Sequence, residues 1–272
     1  MKRILNILIH LFIIIMAFIT IFPFIYMIIS SFMTFQESIS IPPQMFPAEI
    51  QWQNYLEVLD KAPFARYFFN TTLVSLITTT GVLITTTLAA FALVMLEFKY
   101  KNLVVFGLIS LLMVPFEAII FTNYQTIASL NLIDTYAALI IPFLASVFYM
   151  YYLKQYMESV PNSYYRAAKI DGCSNLEFIR KVLIPIIKPA LVTVGLLSFI
   201  ASWNSFLWPV LVTNVTEMRL LNNGLSAFAT EAGAEVQLQM AASTITILPV
   251  MILYFIFRKQ IINGVSKNGL KG

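Results

Sequence analysis

The chain is expected to be an all-α integral membrane protein with six transmembrane helices, and three observations carry that expectation. Hydrophobic residues make up 59% of the sequence, charged residues 11%, and mean hydropathy is +0.82. So little polar surface cannot cover a water-soluble globule. The apolar residues come in long runs without strand-spaced alternation, which argues against an outer-membrane barrel. Basic residues then fall mostly on one side of those runs.

A helix needs roughly 20 apolar residues to cross a hydrocarbon core about 30 Å thick. Six stretches meet that length: 7–30, 67–96, 103–121, 136–156, 190–212 and 241–257. Lys2 and Arg3 ahead of the first run suit a signal peptide, but the run is too long and lacks a small-x-small cleavage site, so it is read as a retained span. One transmembrane domain over 1–272 follows, with an N-terminal span at 7–30 and a core over 67–257.

Orientation comes from Lys and Arg, which are retained on the cytoplasmic side. Lys2, Arg3, Lys99, Lys101, Lys154, Arg166, Lys169, Arg180, Lys181, Lys188, Arg258, Lys259, Lys267 and Lys271 fall on one face, against Lys61, Arg66 and Arg219 on the other. Both termini are therefore expected in the cytoplasm, with the chain in the cell membrane. Glu37, Glu49, Glu57, Asp60, Asp134, Glu217, Glu231 and Glu235 fall on the external face. The basic pI records this topology and implies no nucleic-acid partner.

Several kinds of chemistry lack their residues. Cys173 is the single cysteine, so no internal disulfide forms, and the single histidine, His10, sits in the first span. There is no G-x-x-x-x-G-K-[ST] loop, no H-E-x-x-H and no Ser/His/Asp set. No catalytic residue and no metal site is expected, and any energy source lies on another chain. Asn70-Thr71-Thr72 and Asn214-Val215-Thr216 match the glycosylation pattern, a short match that arises readily by chance.

The connection between the fourth and fifth spans holds the most organised polar sequence. Pro161-Asn162-Ser163 opens a helix with Ser163 as N-cap, and Ala167-Ala168-Lys169 sustains it. Gly172 stops it, because glycine enters the left-handed conformation at no side-chain cost, and Asp171 suits the same turn. Ser174-Asn175-Leu176-Glu177 has capping-box spacing for a second helix. Phe178, Ile179, Val182 and Leu183 form an apolar stripe expected to be exposed and to need a partner, with Pro185 ending the helix and Pro189 marking entry to the fifth span.

At these residues the chain resembles the inner-membrane permease subunits of ABC importers, in particular the maltose-type carbohydrate permeases. Their cytoplasmic motif, Glu-Ala-Ala-x-x-Asp-Gly-Ala-Ser followed by an aromatic residue and Leu-Pro-x-x-x-Pro, is matched by residues 166–174, Phe178 and 183–189. Ser202-Trp203-Asn204-Ser205-Phe206-Leu207-Trp208-Pro209, Gly224-Leu225-Ser226-Ala227-Phe228 and the closing stretch 262–272 resemble further family segments.

The resemblance implies an ATPase-coupling element made of Tyr165, Arg166, Ala167, Ala168, Asp171, Gly172, Phe178, Leu183 and Pro185, with the helix pair at about 161–184 seated in a cleft on the ATPase. Arg166 departs from the motif, reversing the leading glutamate's charge. The implied partners are a second homologous permease subunit in a heterodimer, two copies of an ABC ATPase that bind ATP and Mg, an extracellular or periplasmic solute-binding protein, and membrane lipid. This chain would hold no cofactor of its own.

Polar and aromatic residues inside spans are costly unless they face the bundle interior or a water-filled path, which singles out Glu117, Asn123, Trp203, Asn204 and Trp208 as a solute path. Indole rings stack on the apolar faces of sugars and amides hold hydroxyls, so Trp203 and Asn204 suit a carbohydrate. The resemblance implies that the partner permease carries most of the intramembrane sugar contacts. It also suggests that the 213–239 loop faces the binding protein. The 33–66 segment, with Pro42-Pro43 and Pro47 followed by Trp52 and Tyr55, is expected to lie along the membrane surface, with docking of the binding protein as the alternative.

The expected function is uptake of a sugar or oligosaccharide. The alternative is uptake of glycerol-3-phosphate or a related polyol phosphate, which would favour basic residues along the path. From another class, an autonomous secondary transporter would show inverted repeats or matched broken helices.

Overall fold

In a computed structural model of the protein, residues 2–230 and 233–266 are described; Glu231 and the closing residues 267–272, which include Lys267 and Lys271, lie outside them. The described chain is helical apart from one antiparallel pair of two-residue strands, β1 (Ala229–Thr230) and β2 (Gly233–Ala234). It divides into two compact units. The first holds residues up to Phe64 with Gly224–Ile252, and the second holds Ala65–Asn223 with the remainder of the last helix.

The first unit begins with α1 (Lys2–Ser30), followed by the short helices α2 (Phe35–Ser38) and α3 (Gln53–Lys61). Asn54 ties α3 to the end of α1, its amide donating to the carbonyls of Ser31 (2.9 Å) and Met33 (2.8 Å). Lys61 bridges Glu57 at 2.9 Å and Glu235 at 2.7 Å. The surface of α1 is exposed along its apolar length.

The second unit runs through α4 (Phe64–Met95), α5 (Lys101–Leu111), α6 (Phe116–Ser129), α7 (Tyr136–Ile140) and α8 (Val147–Glu158). It continues through α9 (Ser163–Ile170), α10 (Asn175–Phe178), α11 (Ile184–Trp203), α12 (Leu207–Val212) and α13 (Leu221–Gly224). The last helix, α14 (Val236–Ser266), closes the described chain.

Four helical runs are long and apolar enough to cross a membrane, Leu5–Ser30, Phe64–Met95, Asn175–Trp203 and Val236–Ile256; two bent pairs make six if each is one span. The expected straight third span is corrected: α5 and α6 meet at 95°. Pro115 stands extended at the N-cap of α6, and a residue before proline is pushed out of the helical region, so the chain turns through Leu112–Val114. The expected fourth span bends by 41° between Phe143 and Val147. Pro142 lies in a 3₁₀ turn there, and Ser146 caps α8. Thr85 donates its hydroxyl to the Leu144 carbonyl at 2.7 Å, satisfying an acceptor that the bend releases. At Gly81 an added Cβ would overlap Leu144 Cδ2, so glycine permits this close approach.

The fifth span is also corrected. Pro185 does not end a helix: α10 passes through a π turn, Ile179–Leu183, directly into α11. The Ile184 amide donates to Ile179, one residue further back than in an α-helix. That wider turn makes room for a ring that would otherwise meet a carbonyl of the preceding turn. Pro189 accordingly lies inside α11. The run stops at Trp203, and α12 restarts after Asn204-Ser205-Phe206.

Residues assigned to the external face by charge come together at one end of the second unit. Asn70 donates to the carbonyls of Glu217 (2.7 Å) and Arg219 (3.0 Å) and accepts from the Tyr136 hydroxyl (2.7 Å), so this buried amide is no glycosylation acceptor. Asp134 accepts from the backbone amides of Asn214 and Val215. Burial raises the Asp134 pKa, but these backbone bonds outweigh it and hold the carboxyl below its ordinary value of 3.8.

Because the folded pKa is the lower one, the clamp is fully present above 3.8 and is lost as pH falls through the depressed value. Protection of the Asn214 and Val215 amides, taken relative to the intrinsic exchange rate at each pH, should therefore fall only on acidification below 3.8, and Asp134→Asn should remove that acid dependence. In the core, Phe178 is fully buried among Phe91, Leu153, Met157 and Leu183. Phe178→Ala should cost about 3–5 kcal/mol, measured as a lowered melting point of the assembled protein.

Candidate functional site: a helix pair and a hydroxyl-lined cavity

Two features of the second unit gather the sequence-predicted residues. The first is the α9–α10 pair. Asn162, in a helical conformation and with no side-chain cap bond, precedes α9, so Ser163 is its first residue and not the cap. The turn that follows has Asp171 at the C-cap and Gly172 at φ 79°. The capping box on α10 forms as its spacing predicts, with Ser174 Oγ accepting from the Glu177 amide and Glu177 accepting from the Ser174 amide.

An aromatic cluster fastens this pair to the unit. The Tyr165 ring packs edge-on to Phe91 (5.8 Å) and Phe178 (5.1 Å), and Phe91 lies 6.2 Å from Phe178. Tyr165 also donates its hydroxyl to Asn175 Oδ1 at 2.9 Å, which joins α9 to α10. Phe178, Ile179 and Leu183 are buried, and Val182 is half-buried. The apolar stripe expected to be exposed therefore faces inward, covered by α4 and α8 residues of the same cluster.

The face left outward is different. Arg166, Ala167, Asp171, Gly172 and Pro185 are exposed, whereas Ala168, Phe178 and Leu183 are buried and Tyr165 is half-buried. Ile170 is 87% exposed, with Tyr164 and Leu176 also in solvent. These three apolar residues were missed by the stripe argument; their signal is position, since Ile170 follows Arg166 by four residues and so shares its face. Arg166 makes no ion pair among the described residues, while Lys169 lies 5.5 Å over the Tyr165 ring and Lys181 pairs with Glu177 at 3.0 Å.

The second feature is a cavity of about 290 Å³ between α4, the bend before α8, α11 and α12. Hydroxyls line it from three directions: Thr78 on α4, Ser146 and Tyr149 at the bend, and Ser198, Ser202 and Ser205 in and just after α11. The serines follow one another at helical spacing, as do the buried Thr71, Ser75 and Thr78, a pattern that could have marked both faces in advance. Thr78 is 4% exposed, and its hydroxyl makes no hydrogen bond among the described residues. A buried hydroxyl left this way costs about 1–3 kcal/mol.

Of the residues predicted for a solute path, only Trp208 lines this cavity. It is 2% exposed, donates its indole N–H to the Ala138 carbonyl at 2.9 Å, and stands edge-on to Phe116 and Phe143. Trp203 packs between Phe68 and Phe199, with its Nε1 buried and without a hydrogen-bond partner among the described residues. Asn204 is exposed at the α11 C-cap, Glu117 is exposed in the first turn of α6, and Asn123 is half-buried further along α6. The arrangement does not bring these four together. Among the described residues no group of His, Cys, Asp and Glu could hold a metal ion.

Gly172→Ala should cost roughly 1–2 kcal/mol, the penalty of a left-handed residue bearing a Cβ, since the added atom would meet nothing else within 4 Å. Hydrogen exchange across 163–178 should rise accordingly, and an unchanged exchange profile would remove the turn's dependence on glycine.

Comparison with known proteins agrees with this architecture. The family model described as binding-protein-dependent transport system inner membrane component matches residues 81–267. The arabinooligosaccharides transport system permease protein AraQ of Halalkalibacterium halodurans is 29% identical over 259 residues, covering 94% of this chain and 93% of that one. AraQ of Bacillus subtilis is 30% identical over 227 residues, 83% of this chain and 81% of the relative. The sn-glycerol-3-phosphate transport system permease protein UgpE of Yersinia enterocolitica is 28% identical over 271 residues, 97% and 96% respectively. A chain from the crystal structure of a bacterial ABC transporter involved in the import of the acidic polysaccharide alginate superposes with a TM-score of 0.84 at 24% identity, covering 95% of this chain and 96% of that one. With a family model matching well over half its length, the chain belongs to the binding-protein-dependent transport system inner membrane components.

Proposed function

We propose that this permease subunit imports a sugar or oligosaccharide and that α9 and α10 couple it to a partner's ATP hydrolysis. The observation that carries the reading is the exposed Arg166–Gly172 face joined, through buried Phe178 and Leu183, to one unbroken helical run from Asn175 to Trp203. A push on the exposed face is transmitted along a packed helix and not lost in a loop. Each bent pair serves as one span, giving six, with both termini in the cytoplasm. The chain itself is not an enzyme: ATP and Mg bind to two copies of an ABC ATPase. A second homologous permease completes a heterodimer, and an extracellular or periplasmic solute-binding protein delivers the solute.

ATP binding shifts such an assembly only by its differential affinity for the two states, so ATPase closure favours the outward-facing one. Tyr165, Ala168, Phe178 and Leu183 position the helix pair from inside; Arg166, Ala167, Asp171, Gly172 and Pro185 lie where a partner reaches them. Residues 163–188 carry five basic side chains against two acidic ones, and Arg166 makes no ion pair among the described residues. The ATPase cleft for this chain is therefore acidic. Similarity to UgpE supports glycerol-3-phosphate as the alternative solute.

A tagged pull-down from gently solubilised membranes, read by mass spectrometry, should recover a Walker-motif ATPase, a second multi-span permease and a secreted binding protein. Recovery of the chain alone would contradict the importer reading. Arg166→Glu should reduce solute-stimulated ATPase activity about tenfold by placing like charges together, and unchanged stimulation would show that the charge has no part in docking.

A further inference from the structure

We propose that the second unit carries a seat for the headgroup of an anionic phospholipid, in the pocket between the end of α4, the start of α5 and the end of α8. The inference goes beyond the importer reading and depends on neither the solute nor the ATPase. It needs only that the 99–101 turn lie at the cytoplasmic edge of the membrane, the side to which its lysines assign it.

The pocket measures about 330 Å³, near the lower end of ordinary ligand pockets. Lys101 and Asn102 of α5 and Lys154 and Glu158 of α8 supply its polar lining, with Val105 among its apolar residues. Lys154 is enclosed: its side chain is 12% exposed, and it pairs with Glu158 at 2.7 Å. That pairing leaves Lys101 to set the sign of the pocket. Its Nζ donates to the Val94 and Leu96 carbonyls, both at 3.2 Å, which closes the end of α4. An ammonium has three N–H donors, and these carbonyls take two. Lys101 makes no ion pair among the described residues, so one donor and the whole charge are left over. Glu97 and Lys99, exposed on the intervening turn, are of opposite sign and offset each other.

A phosphodiester fits that remainder, since it brings one negative charge and oxygens that accept from Lys101 Nζ and the Asn102 amide. The positive end of α5 lies here too, and its N-cap, Tyr100, provides no side-chain acceptor. A lipid, rather than a soluble phosphate, is indicated by what adjoins the pocket. Phe106 follows Asn102 by four residues and Ile109 follows Val105 by four, so both continue the pocket's face along α5. Both are exposed, Phe106 at 69%. An acyl chain along that track stays in hydrocarbon while its headgroup reaches the basic pocket. A zwitterionic headgroup would bring its own cation up to Lys101 and Lys154, which disfavours it.

The test uses the complex that the tagged chain brings from membranes, placed in nanodiscs of phosphatidylcholine with or without phosphatidylglycerol. Val105→Cys in a Cys173→Ser background is followed by labelling with a neutral maleimide; Phe98→Cys, exposed and outside the pocket lining, is the reference. Phosphatidylglycerol should slow labelling at position 105 several-fold relative to position 98. Lys101→Gln should abolish that difference and Lys101→Arg should retain it. If Lys101→Gln does not assemble, Lys154→Gln, which leaves Glu158 uncompensated, should abolish it instead. Equal slowing at both positions, or protection that survives the lysine substitution, would overturn the seat. Inorganic phosphate in phosphatidylcholine nanodiscs should protect neither position; protection of position 105 by phosphate alone would assign the pocket to a soluble anion and overturn the lipid.

Discussion

The three-ring contact of Phe91, Tyr165 and Phe178 is the interaction on which the rest of this molecule depends. Each ring comes from a different helix, α4, α9 and α10, and each contact falls within the distances at which edge-on aromatic pairs attract. Short helices such as α9 and α10 are marginal alone. Their capping box and glycine turn set where they begin and end, but only burial of Tyr165 and Phe178 gives them a fixed place. Once placed, they expose Arg166 and Ile170 and continue through the π turn into α11.

That continuity links packing to function. A proline-terminated helix followed by a fresh span would leave a joint between the cytoplasmic face and the membrane helix. The π turn at Ile179–Leu183 instead carries Pro185 within an unbroken run, with Leu183 and Ile187 fully buried on the same side. At the other end, the run stops at Trp203, beside the cavity that Ser198 and Ser202 help to line. One helical element therefore runs from beneath the outward α9–α10 face to the cavity.

Composition and hydropathy made the helical membrane class readable, and family motifs marked the α9–α10 segment. The capping box and Gly172 emerged as local chemistry predicts, because caps and left-handed turns depend on residues within a few positions. What failed were inferences that require tertiary partners. An apolar stripe looks the same whether it faces a partner protein or its own core, and Phe178 could be assigned only once Phe91 was beside it. Proline was read as a stop at 185, where a wider turn accommodates it, while at 115 it does break the chain within an apolar run that looked continuous. Of the residues assigned to a solute path, Trp208 lines the cavity; its small hydroxyls, Thr78, Ser198 and Ser202, carry individual signals that disappear in an apolar span.

The central claim is that α9, α10 and α11 move as one rigid lever. Spin labels at Ile170 and Leu197, both exposed, in a Cys173→Ser background would report their separation in the assembled importer by double electron–electron resonance. An identical distance distribution with and without ATP is the result predicted. A nucleotide-dependent change in that distance would show that the helix pair flexes against α11, and would contradict the account.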